Sequence, residues 1–253
     1  MKPLTEFYEG LHSTHKDYSA GTYNFKPLFA SRALRQWAQS KAGAAMRFLD
    51  VGCGKGLFLR EIVAGLQQRW NVGAARITGL DLVRSPGDRF AEISEQFEFI
   101  QHDVDGHALP LPDGSFDFIA CNHVLEHVFE TEKLVREFRR VIAPGGLCII
   151  SVPNLAAWMN RVGLLWAGQP IGTEVGTERI TYGFRPRFLQ ARLARYCPAG
   201  HIRDFTPRAL ADLTAVCGFE TAGWWAQSYG LAARLSKWGG RNISILLQPA
   251  RAG

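Results

Sequence analysis

Lysine is scarce in this chain of 253 residues: only seven of its 29 basic residues are Lys, and no block of Lys and Arg appears. Without such a block, and with no chain to spare for an RNA-binding appendage, nucleic acid is disfavoured as a partner. Cysteine is sparse too, and Cys53, Cys121, Cys148, Cys197 and Cys217 form no CxxC pair. That excludes a disulfide framework and a thiolate zinc site, and it suits a reducing, cytoplasmic setting. Long apolar runs are missing, so no segment is expected to span a bilayer. Glu6 and Glu9 fall where a signal peptide needs an apolar core. A soluble protein, at most peripheral at a membrane, is the expectation.

What is present is the balance of an ordinary globular chain, with 47% hydrophobic and 21% charged residues and a mean hydropathy of −0.07. The net charge is +6, and the arginine surplus favours planar contacts with carboxylates and phosphates. Short apolar runs at 47–51 (RFLDV), 76–80 (RITGL), 97–101 (FEFIQ), 116–121 (FDFIAC) and 147–152 (LCIISV) read as strands. Helical spacing fills 57–70 and 130–142, the latter stopped by Pro144-Gly145-Gly146. Strands without a wet face, alternating with helices, predict a doubly wound α/β sheet covered on both sides. After Pro153 the texture changes, and 154–200 reads as an insertion. Thr206-Pro207 opens a further helix ending before Gly218. The runs at 220–226 and 243–248 predict an antiparallel closing pair.

The most informative stretch is 48–57, FLDVGCGKGL. A strand ends at Val51, Gly52, Gly54 and Gly56 follow at every second position, and a helix opens at once. Glycines there turn the chain sharply and bring backbone N–H groups against a ligand beside a helix N-terminus. A phosphate loop is excluded, because Lys55 is followed by Gly56 rather than Ser or Thr. The dinucleotide fingerprint fails as well, since the third glycine comes one residue early. Asp50 at the strand end would repel pyrophosphate and suits a cationic, amino-acid-like group. The second strand ends at Asp81, placed to accept ribose hydroxyls. The ligand reads as a nucleoside with a positive amino-acid-like part, and S-adenosylmethionine (SAM) is such a molecule.

Together, 50–56 (DVGCGKG), Asp81, 103–118 (DVDGHALPLPDGSFDF), 126–128 (EHV) and 141–146 (VIAPGG) resemble the ordered motifs of class I SAM-dependent methyltransferases. The resemblance covers about residues 45–155. It implies a Rossmann-like, mostly parallel seven-stranded sheet with an antiparallel last strand, N-terminal cap helices over 1–45, a catalytic domain over 46–253 and an acceptor-side lid at 155–205. It also implies that Asp50, Gly52, Cys53, Gly54 and Gly56 hold the methionine part of SAM, or of the product S-adenosylhomocysteine. Asp81 and Leu82 would take the ribose, Asp103 and Val104 the adenine, and Asn122 would border the sulfonium. Tyr18, in the cap, could close the site.

The segment 122–127 (NHVLEH) carries His123 and His127 four residues apart, which predicts a shared helical face with Glu126 nearby. Its HxxEH spacing also matches a metallopeptidase signature, but it falls where a methyltransferase carries its residues after the fourth strand. Relatives resembling ubiquinone-biosynthesis O-methyltransferases and small-RNA 2′-O-methyltransferases carry ExxEH here and hold a divalent ion. In this chain His123 replaces the first glutamate, which argues against magnesium, and no metal is favoured. Glu126, His127 and His201 are the ligand set if there is one. His127, His123 and His201 are otherwise the candidates for acid/base work near neutral pH.

Segment 155–208 carries eight arginines against Glu174, Glu178 and Asp204, a net of +5. The resemblance implies that this segment, with Tyr182, Arg185 and Arg203, shapes the pocket of a small-molecule or glycan-type acceptor and that the reaction is O-methylation; the positive charge suits an anionic acceptor. Two rivals are a catalytically silent SAM-binding scaffold and a metal-assisted O-methyltransferase acting on a quinone precursor or an RNA 3′ end.

Overall fold

In the computed structural model, the described residues are 24–85, 89–92, 94–170, 173–176, 178–179, 182–183, 198–227 and 239–250. Tyr18 and Arg185 lie outside them. Two short helices come first, α1 (Lys26–Ala30) and α2 (Arg32–Ser40). The Ser31 hydroxyl caps α2 by accepting the Leu34 N–H at 3.4 Å. Leu34, Trp37 and Ala38 turn inward, and the Trp37 ring lies 5.7 Å from that of Phe118. This pair of helices lies against one face of the sheet.

Seven strands follow, β1 (Ala45–Val51), β2 (Gly73–Asp81), β3 (Phe97–Gln101), β4 (Phe116–Asn122), β5 (Ile142–Pro153), β6 (Phe219–Gln227) and β7 (Asn242–Pro249). Their order is β3-β2-β1-β4-β5-β7-β6. β7 is antiparallel to both of its neighbours, and the other pairings are parallel. The doubly wound sheet with its antiparallel last strand is thus as the sequence predicts. Alternate residues enter two cores: Leu49, Ile119, Ile150 and Ile245 one, Phe48, Phe118, Ile149 and Leu246 the other. Burial on both faces is why these runs lack polar alternation.

α3 (Leu57–Trp70) and α6 (Pro207–Val216) match their predicted spans, the latter capped by Thr206. One boundary is corrected. α4 (Thr131–Val141) is not stopped by Pro144; it ends earlier, and Ile142 is already extended, with ψ 134°. The pairing runs from Phe116↔Ile142 to Phe118↔Leu147, so 143–146 bulge from the ladder. Pairing of Ile142 with the start of β4 overrides the local helical pattern, and Pro144 keeps Ala143 extended. After β5 comes α5 (Trp158–Leu165). Among the described residues no helix is long and apolar enough to cross a membrane. Four cysteines, Cys53, Cys121, Cys148 and Cys217, are buried free thiols.

Candidate active site

The loop after β1 is closed by the end of β2. The Gly52 and Cys53 N–H groups both donate to the Leu80 carbonyl, at 2.7 and 3.0 Å. The Gly54 N–H donates to Asp81 Oδ2 at 2.8 Å, and the Leu82 N–H to Asp81 Oδ1 at 2.7 Å. Asp81 therefore ties the glycine loop to its own strand. All three glycines are left-handed, at φ 67°, 47° and 73°. A Cβ on Gly52 would sit 2.1 Å from Val124, and one on Gly56 2.7 Å from the Phe90 ring. At Gly54 nothing lies within 4 Å of that position. Two glycines permit close packing, and the middle one leaves an open cradle above the loop. That cradle, with Asp81 below it and the α3 N-terminus beside it, fits the amino-acid and ribose parts of a cationic nucleoside.

Asp50 lies under this loop with 2% exposure. Burial, reinforced by the charge of Asp81, pushes its carboxyl well above the ordinary carboxylate range. An acid whose pKa is raised by folding binds its proton more tightly folded than unfolded, so its ionisation weakens the fold. The cost is absent below the ordinary carboxyl range and grows as pH rises towards the folded-state value. Asp50→Asn removes it. At pH 8 the ligand-free variant should melt about 2–4 °C higher than the parent, the response of a chain this size to roughly 1 kcal/mol. The gain should vanish towards pH 4, as a melting series across pH will check.

The adenine-side candidates are less committed. Asp103 Oδ1 accepts the Asp105 N–H at 3.0 Å in a local turn, and Val104 packs against the core. Asp105, which the sequence did not single out, accepts from the Phe129 and Glu130 N–H groups at 3.0 Å. It fastens the loop after β3 to the start of α4.

Asn122 ends β4 opposite Ser151. His123 and His127 do not share a helical face, which corrects the sequence expectation. The His123 N–H donates to the Ser151 carbonyl at 2.8 Å, and φ at His123 is 56°. The strand thus reverses before any helix begins, and only a single 3-10 turn, Leu125–His127, follows. The two imidazoles go to different partners. His123 Nδ1 donates to Glu126 Oε1 at 2.7 Å. His127 Nδ1 donates to the Gly200 carbonyl at 3.2 Å, and its ring meets His201 edge to face at 4.9 Å.

Glu126 is fully buried, and its Oε2 has no hydrogen-bond partner among the described residues. Burial opposes its ionisation, yet His123, His127 and His201 outweigh that and hold its pKa below the ordinary glutamate value. For His127, burial lowers the pKa against the pull of Glu126, which favours the neutral ring. One ligand atom each from Glu126, His127 and His201 lie within 4.8 Å of one another. Two imidazoles and an orphaned carboxylate oxygen fit a borderline divalent ion better than magnesium.

On the acceptor side, Arg203 donates to the Phe129 carbonyl at 2.9 Å and lies over the exposed Phe129 ring. Tyr182 is 43% exposed. Asp204 is pushed above the ordinary range by burial, His201 opposing and Glu174 adding to the shift.

A family described as "Methyltransferase domain" matches residues 23–222. The chain belongs to that family. Among curated relatives, the chain is 28% identical over 166 residues to the ubiquinone biosynthesis O-methyltransferase of Klebsiella pneumoniae, covering 63% of this chain and 62% of that one. The counterpart from Dechloromonas aromatica is 32% identical over 187 residues, covering 70% and 74%. The chain thus spans less than two thirds of the length of the Klebsiella protein. A SAM-dependent methyltransferase from Mesorhizobium loti shares the fold, with TM-score 0.55, 19% identity and coverage of 90% and 99%. So does the 1,6-didemethyltoxoflavin-N1-methyltransferase of Burkholderia thailandensis, solved with 1,6-didemethyltoxoflavin and S-adenosylhomocysteine, at TM-score 0.50, 17% identity and coverage of 99% and 92%.

Proposed function

We propose that the protein transfers a methyl group from SAM to a hydroxyl of a small-molecule or glycan-type acceptor, with His127 as the base. The observation that carries the reading is a half-buried His127 whose Nδ1–H is committed to the Gly200 carbonyl, with burial lowering its pKa. Its Nε2 is then the lone-pair nitrogen, suited to take a hydroxyl proton. When bound, SAM supplies an already activated methyl electrophile, so the chain's task is to orient, to exclude water and to move one proton. Asp81 and the glycine loop hold the nucleoside side. Glu126 stabilises the imidazolium that His127 becomes, and the +5 net charge of 155–208 favours an anionic acceptor.

The test is labelled-methyl transfer into uronic acids, sugar phosphates and phenolic acids. His127→Gln should lower kcat about 10²-fold and leave S-adenosylhomocysteine affinity unchanged. Full activity in that variant would remove His127 from the chemistry. Binding of S-adenosylhomocysteine with no transfer to any fraction of a cell extract would favour the silent scaffold.

A second reading has one observation behind it, the convergence of Glu126, His127 and His201. These residues would hold a divalent ion, which would lower the pKa of an acceptor hydroxyl. Loss of activity in chelator with recovery in Mn²⁺ or Zn²⁺ selects this reading. Chelator insensitivity selects the first.

A further inference from the structure

One charged side chain of the insertion is built into the histidine cluster. Glu174 Oε1 accepts the Ala199 N–H at 2.6 Å, and Oε2 accepts those of Gly200 and His201 at 2.7 and 3.2 Å. Gly200 is left-handed, φ 84°, and this turn lets three successive N–H groups converge on one carboxylate. The next two N–H groups, of Ile202 and Arg203, donate to the main-chain carbonyl of Glu126 at 2.8 and 3.1 Å. The loop carrying His201 is thus suspended between two glutamates, one acting by its side chain and one by its backbone.

We infer that Glu174 is a positioning residue for His127. Its Oε2 accepts the His201 N–H at 3.2 Å, and that N–H shares a peptide plane with the Gly200 carbonyl, which receives the His127 Nδ1–H. Orientation of that carbonyl selects the Nδ1–H tautomer, which leaves Nε2 as the basic nitrogen. The same three bonds place His201 against the His127 ring. The insertion therefore contributes more than acceptor contacts: it sets which nitrogen of a distant imidazole carries the proton. The catalytic consequence rests on the proposed role of His127, whereas the tautomer does not.

Nitrogen-15 NMR of histidine-labelled protein at pH 8 reads the tautomer directly. In the parent protein His127 should carry its proton on Nδ1, and an Nε2–H signal there would overturn the inference without recourse to any variant. Glu174→Gln replaces one acceptor oxygen by an amide that repels the N–H groups. It should give a mixed tautomer and lower kcat by about ten- to a hundredfold, with S-adenosylhomocysteine affinity retained as the check on folding. Glu174→Asp should recover part of both. A fall in kcat with the Nδ1–H signal unchanged would show a merely structural role and overturn the inference. A changed tautomer with unchanged kcat would uphold the link from Glu174 to His127 and remove the base role instead.

Discussion

Asp81→Ala is expected to weaken S-adenosylhomocysteine binding by about 10²–10³-fold, from hydrogen bonds to a charged group worth roughly 1.5–3 kcal/mol each. Two losses combine. The variant removes the oxygens proposed to accept the ribose hydroxyls, and it frees the Gly54 and Leu82 N–H groups that the carboxylate holds at 2.8 and 2.7 Å. The loop loses its tether to β2, so the cradle is no longer preformed and ordering it opposes binding. Asp81→Asn separates the two effects, since its amide oxygen can still accept one loop N–H. It should bind between the parent and Asp81→Ala. Calorimetric titration gives the affinities, and an unchanged value in Asp81→Ala would remove this carboxylate from the donor site.

Gly52→Ala should cost the fold about 2–5 kcal/mol, from roughly 1–2 for a side chain in left-handed backbone and about 1–3 for overpacking. The new methyl would lie 2.1 Å from Val124 Cγ2, at a φ of 67°. Melting should fall by about 5–15 °C, at roughly 2–4 °C per kcal/mol for a chain this size. The double variant Gly52→Ala, Val124→Ala should regain the steric part and not the backbone part. Recovery of the full melting temperature would show that φ at this position carries no strain. Because Val124 opens the turn that leads to Glu126 and His127, the same contact couples the donor loop to the histidine cluster. Gly52→Ala should therefore reduce methyl transfer beyond its effect on donor affinity.

Legibility in the sequence followed burial. The run at 116–121 coincides with all but the last residue of β4, a strand buried on both faces that reads as a nearly continuous apolar run, whereas 97–101 coincides with β3, an edge strand whose Glu98 and Gln101 stay exposed. The glycine loop was equally legible, since left-handed backbone and close approach demand glycine whatever the rest of the chain does. The end of α4 was not, because the pattern of 130–142 is helical throughout and only the ladder to Phe116 extends Ile142. Nor was the divergence of His123 from His127, which depends on the Ser151 carbonyl of a neighbouring strand. Glu174 gave no signal, being one acid among the arginines of the insertion, and its role exists only through backbone groups 25 to 27 residues further on.

The lysine-poor, cysteine-poor chain thus determined by itself a doubly wound sheet, a left-handed glycine loop at the end of its first strand, and the family to which it belongs. These are local properties, written in spacing and in residue type. Only the tertiary structure decided which side chains converge beyond the strand ends: Asp81 on Gly54, Val124 on Gly52, His201 on His127, and Glu174 on the loop between them. The physical reason is that hydrogen bonds of long sequence separation leave no periodicity behind, so a residue's partner becomes known only when the folded backbone brings the two together.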